Sequence, residues 1–164
     1  MNVLIVGSGS LSDGNLIKKY HQWADLVIAA DGGQMHLKKF GLDSDILLGD
    51  CDSIDVAELA EIKANNDSEL ITFPKEKDYT DLELAINAAI ERGAKRIVLL
   101  GATGTRLDHT TANIHLLYKF IEHNIEGYIE DEYNRIYLVN KSLTIKKQDG
   151  YKVSILPLPP YAGG

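Results

Sequence analysis

The sequence predicts an α/β fold: a mostly parallel sheet with helices on both faces. Two observations carry this. Short runs rich in Val, Ile and Leu alternate with longer segments whose apolar residues recur at helical spacing. Asp-bearing loops follow several of those runs, so carboxylates gather at strand ends, where open α/β sheets take their ligands.

The expected strands are Val3–Val6, Leu26–Ala30, Ile46–Leu48, Leu70–Phe73 and Arg96–Leu100. Helices are expected over Leu16–Trp23, Gln34–Phe40, Val56–Ala64, Leu82–Arg92 and Thr111–His123. Two helix starts carry capping signals. Asp55 and Glu58 have capping-box spacing, and Thr80 with Glu83 is the standard form. Leu82, Ala85, Ile86, Ala89 and Ile90 make a core-facing stripe, and Gly93 is a natural stop. Ile114, Leu117 and Ile121 make a similar stripe further on. Past Ile125 the pattern changes to short runs, Tyr128–Glu130, Arg135–Val139, Leu143–Lys146 and Lys152–Leu156. Turn residues rather than helices separate them, which predicts antiparallel strands. Residues 1–130 are therefore expected to form the α/β domain. Residues 131–164 are expected to hold the first strands of an incomplete all-β unit, because two or three strands are marginal alone.

The chain has 164 residues, 45% of them hydrophobic, enough for one domain with a real core. A net charge of −7 argues against nucleic-acid binding, which calls for a basic face. The single cysteine, Cys51, excludes an intramolecular disulfide. The apolar start lacks a basic n-region and is too short to span a membrane, so a cytoplasmic protein with no membrane partner is expected.

The candidate site is built from acids. Asp31 opens Asp31-Gly32-Gly33; Asp50 and Asp52 sit in Gly-Asp-Cys-Asp-Ser; Asp78 and Asp81 sit in Lys77-Asp-Tyr-Thr-Asp. Asp108 closes the loop that begins at Gly101 and runs through Gly104, Thr105 and Arg106. Two like charges ~4 Å apart cost about 4 kcal/mol at an effective dielectric of about 20, so carboxylates brought together need a counter-charge. A hard cation such as Mg²⁺, shared with substrate phosphates, supplies one.

Each piece also has a plainer explanation. Gly7-Ser-Gly-Ser lacks the third glycine of a dinucleotide loop and reads as a turn, which disfavours hydride transfer. Asp31-Gly-Gly is equally a strand-to-helix turn or a phosphate approach. Asp50 and Asp52 share a face if their stretch is extended, but fit an exposed loop pair too. Asp81 and Asp108 can serve helix starts, Glu83 needs no role beyond the capping box, and Lys77 fits an exposed lysine. His109 reads more readily as a structural hydrogen-bonding residue than as a catalyst. Taken together, several acids, one arginine that can grip phosphate at two points, and glycine loops at strand ends describe a Mg²⁺–nucleotide site.

At these residues the chain resembles the thiamine pyrophosphokinase family. Asp31-Gly32-Gly33, Gly49-Asp50-Cys51-Asp52-Ser53, Asp78-Tyr79-Thr80-Asp81 and Gly101 to His109 occur in the family's order and spacing, with Cys51 in place of the usual Phe. The resemblance implies a Rossmann-like three-layer domain and transfer of diphosphate from ATP to the thiamine hydroxyl, giving AMP. It implies Asp50, Asp52 and Asp81 as Mg²⁺ ligands. Asp31, Asp78, Arg106 and Asp108 would line the nucleotide and reacting phosphates, with Gly32, Gly33, Gly104, Thr105 and Lys77 around them. It also implies a homodimer whose β-sandwich domains complete the thiamine pocket at the interface. This chain is expected to hold only the first strands of that domain. Two rival readings keep the acid set: a different hydroxymethyl acceptor such as a pterin, and a nucleotide-binding module without turnover.

Overall fold

The computed structural model describes residues 1–50, 68–73, 79–147 and 149–158, with Asp50 described for its backbone alone. A seven-stranded sheet runs in the order β4-β3-β2-β1-β5-β6-β7. The strands are β1 (Asn2–Val6), β2 (Leu26–Ala30), β3 (Ile46–Asp50), β4 (Glu69–Phe73), β5 (Arg96–Leu100), β6 (Glu126–Glu130) and β7 (Arg135–Ile136). All neighbours pair in parallel except β6 and β7, which are antiparallel. The helices are α1 (Gly14–Trp23), α2 (Gly33–Lys39), α3 (Asp81–Glu91), α4 (Leu107–His115) and α5 (Leu117–Glu122).

Central parallel strands are covered on both faces, so their sequences are apolar throughout instead of alternating. Val3, Leu4, Ile5 and Val6 are all fully buried. Alternate residues then serve two cores. Val3, Ile5, Ile28, Ile46 and Leu48 pack with Ala85, Ile86 and Ala89 of α3 and with Leu117 and Phe120 of α5. Leu4, Val6, Val27, Ala29 and Leu47 pack with Leu16, Ile17 and Tyr20 of α1 and Leu37 of α2. The result is the three-layer α/β/α arrangement the alternation predicts.

Local signals hold where they can be followed. Thr80 Oγ1 accepts the Glu83 N–H at 3.2 Å, as a capping box requires. The Glu83 carboxylate, however, also pairs with Lys119 at 3.1 Å, tying α3 to α5. Gly93 ends α3 at φ +81°. Asp13 caps α1 by accepting the N–H groups of Asn15 and Leu16, so that helix starts at Gly14, before the expected Leu16. The expected helix Val56–Ala64 and the Asp55 cap lie outside the described residues.

Two expectations are corrected. The helix expected over Thr111–His123 begins at Leu107 and is divided at Leu116. The Leu116 N–H is shared between the carbonyls of Ala112 and Asn113, and Lys119 bonds back three residues to Leu116. The winding tightens there, which brings Ile114, Leu116 and Leu117 against the core together. The strands expected at Leu143–Lys146 and Lys152–Leu156 are absent, and Arg135–Val139 is reduced to Arg135–Ile136. Leu143, Ile145, Tyr151, Val153, Ile155 and Leu156 are exposed, so their alternating pattern has no second layer to pack on. The short β7 that does form pairs with β6 and extends the α/β sheet.

Candidate functional site

The chain passes from β1 outward to β4, then returns to β5 on the other side of β1. The switch point lies between β1 and β5, and the crevice beyond the carboxyl ends of these strands is where this topology binds ligands. A cleft of about 760 Å³ opens there. Its walls are residues 7–10 after β1, Ala30 and Asp31 at the end of β2, residues 79–82 at the start of α3, residues 101–106 leading into α4, and the first turns of α4 from Asp108 to Asn113.

Glycines let the two central loops close on each other. The N–H groups of Gly7, Gly9 and Ser10 donate to the carbonyls of Leu100, Gly101 and Thr103 at 2.7–2.8 Å, continuing the β1–β5 ladder past the strands. A Cβ on Gly9 would stand 2.3 Å from the Thr103 carbonyl oxygen, so no larger residue fits. These three amides are thus already paired within the fold, and the turn lines the cleft. His36 of α2 adds a hydrogen bond between Nε2 and the Gly9 carbonyl at 2.8 Å.

Of the residues singled out from sequence, Asp31, Asp81, Gly104, Thr105, Arg106 and Asp108 line this cleft. Asp31 leaves β2 at φ +51°, a left-handed conformation that Asp tolerates better than most residues. Its N–H donates to the Leu48 carbonyl at 2.8 Å, which sets it beside the end of β3. That strand continues to Asp50, two residues beyond the expected Leu48, so the backbone at Asp50 is extended. Packing accounts for Gly33: a Cβ there would lie 1.9 Å from the Val6 carbonyl oxygen, so glycine lets α2 sit against β1, whereas a Cβ on Gly32 would meet only Ser8, its Cβ at 3.1 Å. Asp52, Lys77 and Asp78 lie outside the described residues, as does the Asp50 side chain. Among the described residues no three His, Cys, Asp or Glu side chains converge as a metal site. Of the three acids implied as ligands, only Asp81 is described with its side chain.

Arg106 and Asp108 form an exposed two-point ion pair, Nη2 to Oδ2 at 2.6 Å and Nε to Oδ1 at 3.3 Å. The hydrogen bond from Arg106, aided by the His109 amide, holds the Asp108 carboxyl below its usual range despite some desolvation. The same bond holds the guanidinium above its usual value. Asp108 is not the helix cap. It lies within the first turn of α4, where the helix dipole favours an acid, and Arg106 occupies the cap position without a side-chain hydrogen bond. His109 is not a buried structural histidine either: it is exposed, with Nε2 4.0 Å from Asp108 Oδ2. Asn113 Nδ2 donates to the Ala102 carbonyl at 2.8 Å and fixes α4 against the loop.

Sequence reasoning passed over Ser8, Ser10, Tyr79, Thr103 and Asn113, which also line the cleft. The signal for the serines was present, since they alternate with the glycines of the turn. Thr103 lies inside the motif from Gly101 to His109 without a signal of its own, and nothing in the sequence marked Asn113, whose place depends on how α4 packs.

An open parallel sheet with an acid-rimmed crevice at its switch point defines the class of α/β proteins that bind a ligand between two βα loops. Comparison narrows the class. The family model described as thiamin pyrophosphokinase, catalytic domain, matches residues 17–129, and this chain belongs to that family. Thiamine pyrophosphokinase of Bacillus subtilis (strain 168) is 37% identical over 125 residues, covering 74% of this chain and 58% of the relative. Thiamine pyrophosphokinase 1 of Oryza sativa subsp. japonica is 30% identical over 115 residues, covering 66% of this chain and 42% of that protein. The chain thus spans about half the length of these relatives. The crystal structure of the Bacillus subtilis enzyme superposes with a TM-score of 0.69 at 32% identity, over 84% of this chain and 64% of that one. Yeast thiamin pyrophosphokinase also gives 0.69, at 17% identity over 85% of this chain and 61% of that one, a likeness of fold. No helix among the described residues is long and apolar enough to cross a membrane.

Proposed function

We propose that this chain carries the nucleotide half of a thiamine pyrophosphokinase, with ATP as donor, Mg²⁺ as cofactor and thiamine as acceptor. The observation that carries the reading is the cleft at the β1–β5 switch point, which Asp31, Asp81, Arg106 and Asp108 line together in a member of this family. In the reaction the thiamine hydroxyl oxygen bonds to the β-phosphorus of ATP. The bond from that phosphorus to the oxygen bridging it to the α-phosphorus breaks, and AMP leaves with that oxygen. A carboxylate of the acid set, Asp52 or Asp81, takes the hydroxyl proton.

The donor set fits Mg²⁺ in kind, since Asp50, Asp52 and Asp81 offer only hard oxygen ligands and Asp50 ends a strand next to the one that delivers Asp31. Bound there, the ion would neutralise charge on the transferring phosphates. Arg106 would bind phosphate oxygens at two points, and Asp31, Asp78 and Asp108 would line the nucleotide, with Gly104, Thr105 and Lys77 beside them. The reading includes a cytoplasmic homodimer with the acceptor pocket at its interface, and a division of the chain near residue 130. The homodimer and its pocket rest on the family resemblance, and the division on the change of sequence pattern past Ile125.

The test is to supply ATP, Mg²⁺ and thiamine and to analyse the products. Thiamine-dependent formation of AMP and thiamine diphosphate supports the reading. Formation of ADP overturns it. Binding of Mg²⁺–ATP with no thiamine-dependent AMP favours a nucleotide-binding module instead.

A further inference from the structure

The β6–β7 turn, residues 130–135, is held to three separate parts of the fold. At its base the Glu130 carboxylate accepts from Arg135 Nε at 2.6 Å and Nη2 at 2.9 Å, and from the Tyr20 hydroxyl of α1. At its tip Asp131 Oδ1 accepts the N–H groups of Tyr133 and Asn134 at 2.8 and 2.7 Å, and the Asp131 N–H donates to the Asn134 carbonyl at 2.9 Å. The turn is thus stiffened from within. The other Asp131 oxygen, Oδ2, accepts from the Thr103 hydroxyl at 2.9 Å. The next residue reaches elsewhere: Glu132 Oε1 accepts the Ser12 N–H, the Ser12 hydroxyl at 3.0 Å and the Asp13 N–H at 3.0 Å.

Thr103 belongs to the loop after β5, and Ser12 follows the loop after β1. These are the two loops whose zipped backbones form the centre of the cleft. Asp131 and Glu132 do not themselves line it. Burial does not anchor the tip, because Tyr133 is 91% exposed. Two consecutive carboxylates therefore each hold one cleft loop, across 28 and 120 residues of sequence.

We infer that Asp131 and Glu132 are positioning residues: they fix the two loops of the cleft in the spacing that binds the ligand. The binding readout below rests on the nucleotide reading; the exchange readout does not.

The test compares wild type with Asp131→Ala and Glu132→Ala, and with Asp131→Asn and Glu132→Gln. The carboxamides keep the contacts, since the Thr103 hydroxyl can reverse from donor to acceptor and a glutamine oxygen can still accept from Ser12 and Asp13. Amide hydrogen exchange is measured over residues 8–13 and 101–106, and the affinity for Mg²⁺ with a non-hydrolysable imido analogue of ATP is measured by calorimetry. In the alanine variants exchange rises about tenfold in the loop each residue holds, and affinity falls about tenfold, while the carboxamide variants stay near wild type. Unchanged exchange in both loops overturns the inference, as does a rise spread evenly over the β1–β5 core, which marks general destabilisation. If wild type does not bind the analogue, the nucleotide reading fails and the exchange result alone decides the role of the turn.

Discussion

The Arg106 guanidinium and the Asp108 carboxylate clasp each other at two points on the rim of the cleft, at 2.6 and 3.3 Å, with both side chains about two-thirds exposed. So exposed a pair contributes little to folding. Its consequence is to hold the guanidinium at the cleft, where under the proposed function an incoming phosphate would compete with Asp108 for the same N–H groups.

Arg106→Lys should therefore separate binding from stability. Lysine keeps the charge and loses the planar two-point grip. The thermal midpoint should stay within about 1–2 °C of wild type, because surface substitutions lie within ±0.5 kcal/mol. Affinity for the Mg²⁺–ATP analogue should fall about tenfold or more by calorimetry. Unchanged affinity would remove Arg106 from the phosphate site.

Gly33→Ala tests whether packing, rather than ligand approach, requires glycine in Asp-Gly-Gly. The new Cβ meets the Val6 carbonyl oxygen at 1.9 Å, a backbone atom that cannot turn aside, so α2 must shift off β1. Overpacking of this kind costs about 1–3 kcal/mol. Chemical denaturation should show that loss with no ligand present.

Asp81→Asn addresses the metal assignment. If Asp81 is a Mg²⁺ ligand, its loss should abolish the gain in nucleotide affinity that Mg²⁺ brings and leave metal-free ATP binding nearly unchanged. Calorimetric titrations with and without Mg²⁺ give the difference. A full Mg²⁺ increment in the variant would exclude Asp81 from the metal site.

The sheet was legible because burial on both faces leaves a strong trace: Val3–Val6, Leu26–Ala30 and Arg96–Leu100 are apolar runs bounded by turn residues, and all form strands. The cap at Thr80 and the stop at Gly93 were legible because each is a local contact. The winding change at Leu116 was not, since it answers to how the helix lies on the sheet. Alternation at Leu143–Lys146 misled because a strand needs partners as well as a pattern. In the site, the acids at strand ends were legible, while the hold of Asp131 on Thr103 and of Glu132 on Ser12 spans distances in sequence that no local pattern encodes.

Acid should weaken the fold partly through Glu132. Partial burial works against its ionisation, but the amides of Ser12, Glu132 itself and Asp13, with the Ser12 hydroxyl, outweigh it and hold the carboxyl below its usual value. A carboxyl depressed in the folded state gives stability that is present above its unfolded value, about 4.3, and is lost as pH falls through the folded value. The thermal midpoint should thus hold level down to about pH 5 and decline below about pH 4.3. Glu132→Gln should lessen that decline, and an identical acid slope in the variant would show that these hydrogen bonds do not favour the ionised form.

Glu130 is 8% exposed, and its carboxylate is satisfied by Arg135 and the Tyr20 hydroxyl. Burial, followed by the hydrogen bond to Glu130, pushes the Tyr20 hydroxyl far above its usual value, so it remains a proton donor to that carboxylate. Arg135→Met removes the closer of two charges that pair with Glu130, leaving Lys19 Nζ at 3.9 Å, while keeping an apolar stem over the Tyr128 ring, which the guanidinium now faces at 4.9 Å. Breaking a buried pair from one side costs about 3–5 kcal/mol, and the partial exposure of Arg135 lowers the expected loss to about 2 kcal/mol. Adding Glu130→Gln neutralises the stranded carboxylate and still accepts from Tyr20. The double variant should recover most of the loss, so that the two substitutions are strongly non-additive in denaturant unfolding. Additive losses would mean that each residue stabilises the hairpin through contacts other than their ion pair.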